Sequence, residues 1–475
     1  MVELLFLLPM GCGLLAFFLP VKGGRALLVL TGLLHLLGSG LVWLGLALPR
    51  FPEYFSLNPA GLLVLTVISF LFLPIACYAV AYLGETEMHN EPVFHGCMLF
   101  FLAAMSMVAL ADHLIVLWVA VEATTLASAP LIFMHKTKEA LEATWKYVLI
   151  CSVGIALALL GAFCITLAMD MGRVEVALSY SALTVVAGQL NKVWLKAGFI
   201  FVLIGYGTKM GLAPMHTWLP DAHSESPSPA SAMLSGALLN CAFLGIYKTH
   251  LLLQAAGLGD YSRQVLVAFG LLSMLVAAIF ILNQTDYKRL LAYSSIENMG
   301  IIAVGVGLGR IATYGAFLHL IHHSLLKSSL FLSSGNLLLG YGTKAINRVG
   351  NMARLFPKTF TTFFGAFAGI SGFPPFGIFI SELLIIMGAF RGGHYLAGAM
   401  FLLCLLLVFG GAARLAMRIS FAKSEGEILL PESLSRVVPP FILLLASLLL
   451  TFWLPERLYQ TMVEAIIVIG GSIHG

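Results

Sequence analysis

Four ionisable side chains stand inside stretches apolar enough to be buried in lipid: Glu122, Lys209, Lys327 and Glu382. A charge at the bilayer centre costs about 2.5–3.5 kcal/mol on insertion scales, so such residues are rare and usually carry an ion path. Two acids and two bases together suit the movement of protons or ions. Glu122 lies within the apolar run 114–130, and Lys209 stands just before the sequence GLAP at 211–214. A carboxylate and an ammonium in such surroundings are expected to pair. Paired, both stay charged. Parted, burial favours the neutral form of each, so making and breaking the pair is a switch that loads and releases a proton. The competing reading is a static ion pair that fixes helix packing.

The stretch HLIHHSLLK at 319–327 places His319, His323 and Lys327 at i, i+4 and i+8, on one helix face. Histidine titrates near neutral pH and suits a proton relay. His322 points elsewhere. Two His one turn apart can hold a metal, but Lys327 on the same face would repel a cation, so no metal is expected. Glu382 follows the proline-containing segment 371–375 and is expected at the end of a half-channel, or as an acid favoured in the first turn of a helix. His216, Trp218, Asp221 and His223 form a polar connection that either lines a water-filled mouth or caps it. Glu297 is read evenly as a packing group or a path member, and Lys248 is carried as a further candidate. Asp112 and His113 are expected to be solvated in a short turn. The glycines of GVGLG at 305–309 are read as packing residues, because no strand precedes them.

The elements that hold these groups follow from composition. The chain has 475 residues, 60% hydrophobic and only 10% charged, where soluble domains carry about 25% charge. An all-α polytopic membrane protein is the expected fold class. A span needs about 20 apolar residues, which predicts fourteen spans: 2–20, 25–47, 58–83, 94–111, 113–134, 142–168, 191–212, 228–251, 264–283, 289–309, 311–340, 358–390, 395–417 and 437–455. The apolar start lacks the basic opening and small-residue cleavage site of a signal peptide and reads as the first span. Of the 26 Lys and Arg, 15 fall in connections on one side and three within spans (Lys196, Lys209, Lys327). The other side has eight: Arg50, Arg173, Lys192, Lys248, Arg263, Arg310, Arg391 and Arg457. The richer side is expected to be cytoplasmic, with both termini outside, in the inner membrane of a bacterium or archaeon.

Two spans should be broken, the seventh at 211–214 and the twelfth at 371–375, because proline removes a helical donor and clashes with the preceding turn. Breaks at corresponding places point to an inverted-repeat transporter. The expected organisation is helices 1–3 over 1–93, a first five-helix repeat over 94–251, a second over 264–417, and a last helix with a short tail over 437–475. The seven cysteines form no CxxC pair, so no iron–sulfur or zinc site is expected.

Several motifs give the chain a family likeness. KMGLAPMHTWLPDAH at 209–223, SPSPASA at 226–232, KRLLAYSSIE at 288–297 and the run 319–327 resemble the signature of the antiporter-like subunits of respiratory complex I. That family also includes membrane-bound hydrogenase subunits and Mrp-type sodium/proton antiporter subunits. WVAVEATTL at 118–126 and PPFGIFISE at 374–382 look most similar to the F component of formate-hydrogenlyase-type (hydrogenase-4-like) hydrogenases. The resemblance covers nearly the whole chain. It implies Glu122 and Lys209 as the broken-helix pair, Lys327 with His323 and His319 as the central relay, and Glu382 as the outer residue of the second half-channel. One departure is Asn240, where some relatives carry Lys, so the link between halves would need waters, His or neighbouring polar groups. About twenty residues follow the last span, so the long lateral helix of the distal complex I subunit is not expected. The implied function is proton translocation in a larger redox complex. Partner membrane subunits and a peripheral arm would hold the iron–sulfur, nickel–iron, flavin or quinone groups, and this chain none. No nucleic-acid partner is expected. The alternatives are an Mrp-type antiporter component, the membrane half of an inorganic-carbon uptake system, and an inert scaffold.

Overall fold

The structure, a computed structural model, describes residues 2–86, 90–423 and 428–467. The helices run α1 (Leu4–Ala16), α2 (Val21–Trp43), α3 (Pro59–Leu83), α4 (Glu91–Leu110), α5 (Leu114–Ile132), α6 (Lys138–Met171), the short α7 (Tyr180–Val185), α8 (Lys192–Met210), α9 (Trp218–Glu225), α10 (Ser228–Met233), α11 (Leu239–Ala255), α12 (Gly259–Ile281), α13 (Tyr287–Leu308), α14 (Arg310–Tyr341), the short α15 (Met352–Leu355), α16 (Pro357–Ile370), α17 (Gly377–Arg391), α18 (Tyr395–Phe421), α19 (Leu434–Phe452) and α20 (Glu456–Ile467). Among the described residues, eleven helices are long and apolar enough to cross a membrane, with α8–α9 and α10–α11 each counted as one. The other three expected spans are α1, α14 and the broken α16–α17. The first is shorter than the expected 2–20: α1 has 13 residues, and Pro20 disfavours helical backbone at the residue before it. Of the last expected segment, residues 468–475 lie outside the described residues.

Polarity decides which helices sit inside. The α10–α11 span and α13 are buried throughout their most apolar windows, whereas α2 and α18 are one-third buried there. The enclosed helices carry the ionisable groups, and the peripheral ones present Leu and Phe outward, as at Leu37, Leu403 and Leu406. α14 is less apolar than the other spans, and its His, Ser and Lys side chains are nearly all buried against protein.

Connections pair with others on the same face. Asp112 N donates to Tyr54 O at 2.8 Å and Tyr180 N to Asp112 O at 2.9 Å. Val2 N donates to Leu48 O at 3.3 Å, and Arg457 Nη1 to Trp43 O at 2.7 Å, so both described ends lie on this face. On the opposite face Tyr287 N donates to Lys344 O at 3.2 Å and Ser224 Oγ to Asp286 Oδ2 at 2.6 Å.

Both expected breaks are present. α8 stops at Met210, where Gly211 takes φ +82°, and α9 begins at Trp218. The carbonyls stranded there find other donors: Trp218 Nε1 reaches Thr208 O at 2.8 Å and Leu212 N reaches Gly207 O at 2.8 Å. α16 stops at Ile370 and α17 resumes at Gly377. In each group of five spans the break falls in the fourth. In each, the third member is one of the two longest helices, α6 with 34 residues and α14 with 32. α6 packs along α8 as α14 packs along α17.

Candidate functional site

Lys209 occupies the last turn of α8, where a cation is favoured by the free carbonyls and the helix dipole. It is fully buried. Its Nζ donates to Thr125 Oγ1 at 2.8 Å and to the Tyr147 hydroxyl at 2.6 Å, and lies 4.4 Å from the Tyr147 ring centroid. Glu122 does not touch it. The expected direct ion pair is instead bridged: Thr125 Oγ1 donates to Glu122 Oε2 at 3.2 Å while accepting from Lys209. Thr125 stands one turn after Glu122 on α5, so its hydroxyl fits between carboxylate and ammonium. Ser152 Oγ on α6 donates to Glu122 Oε1 at 3.1 Å, and Ser128 Oγ lies 2.6 Å from the Tyr147 hydroxyl. A hydroxyl bridge keeps both charges satisfied and gives a proton a bonded route.

Asn240 of α11 is bonded to α14 of the second half. Its Nδ2 donates to Ser324 Oγ on α14 at 2.7 Å and to Gly236 O at 2.9 Å, while its Oδ1 has no partner. A π-helical segment, Leu234–Leu238, precedes it. Such a bulge leaves backbone carbonyls unpaired and is common at functional positions. Gly236 is required by contact, since a Cβ there would collide with Ser328 Oγ.

On α14, Lys327 is fully buried and its Nζ donates to Leu291 O of α13 at 2.9 Å. His323, one turn earlier, is buried with neither ring nitrogen bonded. His319 is held at both nitrogens, Nδ1 by Ser381 Oγ of α17 and Nε2 by Asn298 Oδ1 of α13, each at 2.9 Å. His322 points away to Ser447 on α19, 2.9 Å from its Oγ. Glu297 is buried on α13 next to Asn298. With Glu382, Ser294 and Ser371 it lines a cavity of about 200 Å³ at the second break. The broken twelfth span thus brings Glu382 to the same small chamber as Glu297. Gly372, with φ +72°, leaves room for the Glu382 carboxylate.

The remaining candidates separate. His223 is fully buried, stacks on Phe331 at 4.8 Å and has no bonded ring nitrogen. His216 lies by Phe280 and Tyr293 beyond the first break. Asp221 bridges Lys146 and Arg289, each at 3.1 Å, and lines a mouth of about 250 Å³ with Glu139, Glu142 and Glu225. Lys248 is buried on the opposite face, where its Nζ donates to Ala111 O. It shares a cavity of about 350 Å³ with Asp112, Tyr180 and Ser181. The expectation of a solvated Asp112 is corrected: it is 4% exposed and accepts the N–H and hydroxyl of Ser181. Lys288, counted with the connections in the sequence, is buried in α13 and donates to Ser226 O at 2.6 Å. The sequence reading also missed Thr125, Tyr147, Ser324, Asn298 and Ser381. Their signal was available as hydroxyls and amides facing into spans whose centres are otherwise apolar. Among the described residues no group of three or more His, Cys, Asp or Glu could hold a metal ion.

Residues 111–408 match the family model described as NADH:quinone oxidoreductase/Mrp antiporter, transmembrane. The chain is 35% identical over 385 residues to a hydrogenase-4 component F homolog of Methylacidiphilum infernorum, covering 79% of this chain and 80% of that one. It is 31% identical to Escherichia coli hydrogenase-4 component B over 66% of this chain, but spans only 48% of that longer protein. Its fold is similar to a chain of the membrane-bound sulfane sulfur reductase, an archaeal respiratory membrane complex, with a TM-score of 0.87, 22% identity and coverage of 98% and 97%.

Proposed function

The chain belongs to the NADH:quinone oxidoreductase/Mrp antiporter membrane family, and on that premise we propose that it translocates protons as one membrane subunit of a multisubunit redox complex. The observation that carries this reading is the row of buried polar groups, bonded in short runs, that crosses both halves. It runs from Glu122 through Thr125 to Lys209, through Asn240 and Ser324, past His323 and Lys327, and by Glu297 and His319 to Glu382.

In the proposed cycle Lys209 holds a proton while Thr125 ties it to Glu122. A rearrangement driven from a partner subunit loosens that tie and favours neutral Lys209. The proton moves toward Asn240 and Ser324, and the second group, Lys327 with His323 and His319, passes it to the Glu297–Glu382 chamber. The first five-span repeat would form one half-channel and the second the other. The face richer in Lys and Arg would be cytoplasmic. The redox groups would sit in partner chains, a membrane-bound hydrogenase or a complex I-like module, with a peripheral arm.

The test is Lys209→Met in the purified native complex reconstituted into vesicles, with dye quenching read beside the redox rate. Pumping lost with the redox rate retained is expected. Pumping unchanged would make the chain a scaffold, and exchange that requires sodium would make it an Mrp-type component.

A further inference from the structure

We propose that the first five-span group has an outlet of its own on the face that carries both described ends: the cavity shared by Lys248 and Asp112, reached from Lys209 past Tyr206, Thr249 and Tyr180. The inference rests on the proton-translocation reading above. The cavity measures about 350 Å³, room for several waters, and is lined by the start of α3, the short α7, α11 and the end of α20. Lys248 and Asp112 are each 4% exposed, yet neither bonds the other. Lys248 Nζ donates to Ala111 O, and Asp112 accepts the N–H and hydroxyl of Ser181. A static buried pair would be in contact, because each charge left without the other goes uncompensated in a poor dielectric. A cation and a carboxylate that share a cavity without touching are instead groups that water can join. Capping the end of α4 explains the bond to Ala111 O, but it needs neither the carboxylate nor the cavity.

A column of side chains leads inward from that cavity. Tyr180 lines it, with its ring centroid 6.0 Å from Lys248 Nζ, and the Tyr180 hydroxyl lies 3.0 Å from Thr249 Oγ1 of α11. Thr249 donates to Gly245 O at 2.9 Å, so the Tyr180 hydroxyl is the donor between the two. Gly245 stands one turn further in on the same face of α11. The Tyr206 ring of α8 packs on it so closely that a Cβ there would lie 2.4 Å from Tyr206 Cδ2. Tyr206 is buried one turn before Lys209. α8 follows α7 and runs inward from this face, so Tyr206 lies on the outlet side of Lys209. Side chains on a helix lean toward its N-terminus. Lys209 is held by Thr125 and Tyr147; released from them, it leans back over Tyr206. The release that the proposed cycle needs would thus turn the ammonium toward the outlet. On the other side, Tyr147 adjoins Lys146, which lines the mouth on the opposite face with Asp221. Lys209 therefore stands between two mouths, one on each face, and the first group can carry a proton across without the second.

The experiment uses the purified native complex in vesicles, with protons pumped per redox turnover read for each variant and Lys209→Met as the reference. Lys248→Met, Tyr206→Phe and Tyr180→Phe should each lower the ratio to about half or below, since one of two routes is lost. Lys248→Arg should recover most of it. Lys248→Met combined with Asn240→Ala should pump less than either alone. A small charged methanethiosulfonate should modify Lys248→Cys from the side on which it modifies Glu53→Cys, an exposed position on the same face. Lys248→Met that melts lower but pumps as wild type, with Tyr206→Phe also unchanged, makes Lys248 a helix cap and overturns the outlet. Failure of the reagent to reach position 248 from that side overturns it as well. If Lys209→Met abolishes pumping while Lys248→Met and Tyr206→Phe pump as wild type, the outlet alone fails and the proposed function stands. If Lys209→Met pumps as wild type, both fall.

Discussion

Thr125→Val removes one oxygen and keeps the volume and branching of the side chain. In the wild type that oxygen accepts from Lys209 Nζ at 2.8 Å and donates to Glu122 Oε2 at 3.2 Å. Without it Lys209 keeps the Tyr147 hydroxyl alone, and Glu122 keeps Ser152. A hydrogen bond to a charged group contributes about 1.5–3 kcal/mol, and a buried ammonium is fully desolvated, so the loss should lie in that range. The same energy corresponds to a shift of about 10- to 150-fold in the balance between tied and untied Lys209. The expected result in the reconstituted complex is strongly reduced pumping at a maintained redox rate, with lower thermal stability. Thr125→Ser, which keeps the hydroxyl, should pump nearly as wild type. If Thr125→Val pumps and melts as wild type, the hydroxyl bridge is not part of the switch, and the reasoning from Glu122 through Thr125 to Lys209 fails.

Asn240→Ala removes a bond to Ser324, one of several between the two halves, so protons pumped per redox turnover should fall while turnover continues; an unchanged ratio in vesicle assays would take Asn240 out of the path. Gly372→Ala forces a side chain into left-handed backbone at φ +72° and against the Glu382 carboxylate. It should lower stability by about 1–2 kcal/mol or more, measured by melting, and lower pumping with it. Glu3 offers a pH test outside the spans. Burial by itself raises its carboxyl, but accepted backbone N–H groups, those of Arg50 and Phe51 among them, leave it below the usual carboxylate range. A depressed acid contributes stability that is present above its unfolded value and lost as pH falls through the folded one. Melts taken from neutral to acid pH should therefore fall less steeply in Glu3→Gln than in wild type, and superimposable profiles would contradict this.

Spans and breaks were legible in the sequence because both follow from local rules. About 20 apolar residues make a helix that satisfies its own backbone in lipid, and Pro214, Pro374 and Pro375, each beside a glycine-containing stretch, fall at the breaks, whereas Pro74 and Pro130 lie within α3 and α5. Glu122, Lys209, Lys327 and Glu382 stood out for a similar reason, since each is a charge in a run that excludes charge. Three-dimensional packing decided what each one touches. Thr125 and Tyr147 became the partners of Lys209 because α5, α6 and α8 pack side by side. Glu297 met Glu382 because the second break turns α17 toward α13. Lys288 reads as a loop cation and lies buried because the carbonyls of Ser224 and Ser226 reach its ammonium. Asp112 reads as a turn residue and is enclosed by Ser181, from a connection 69 residues away. Sequence thus determined which groups lie within the membrane, since hydrophobicity is a property of each segment. Partners are set by contacts between distant segments, and those exist only once the helices have packed.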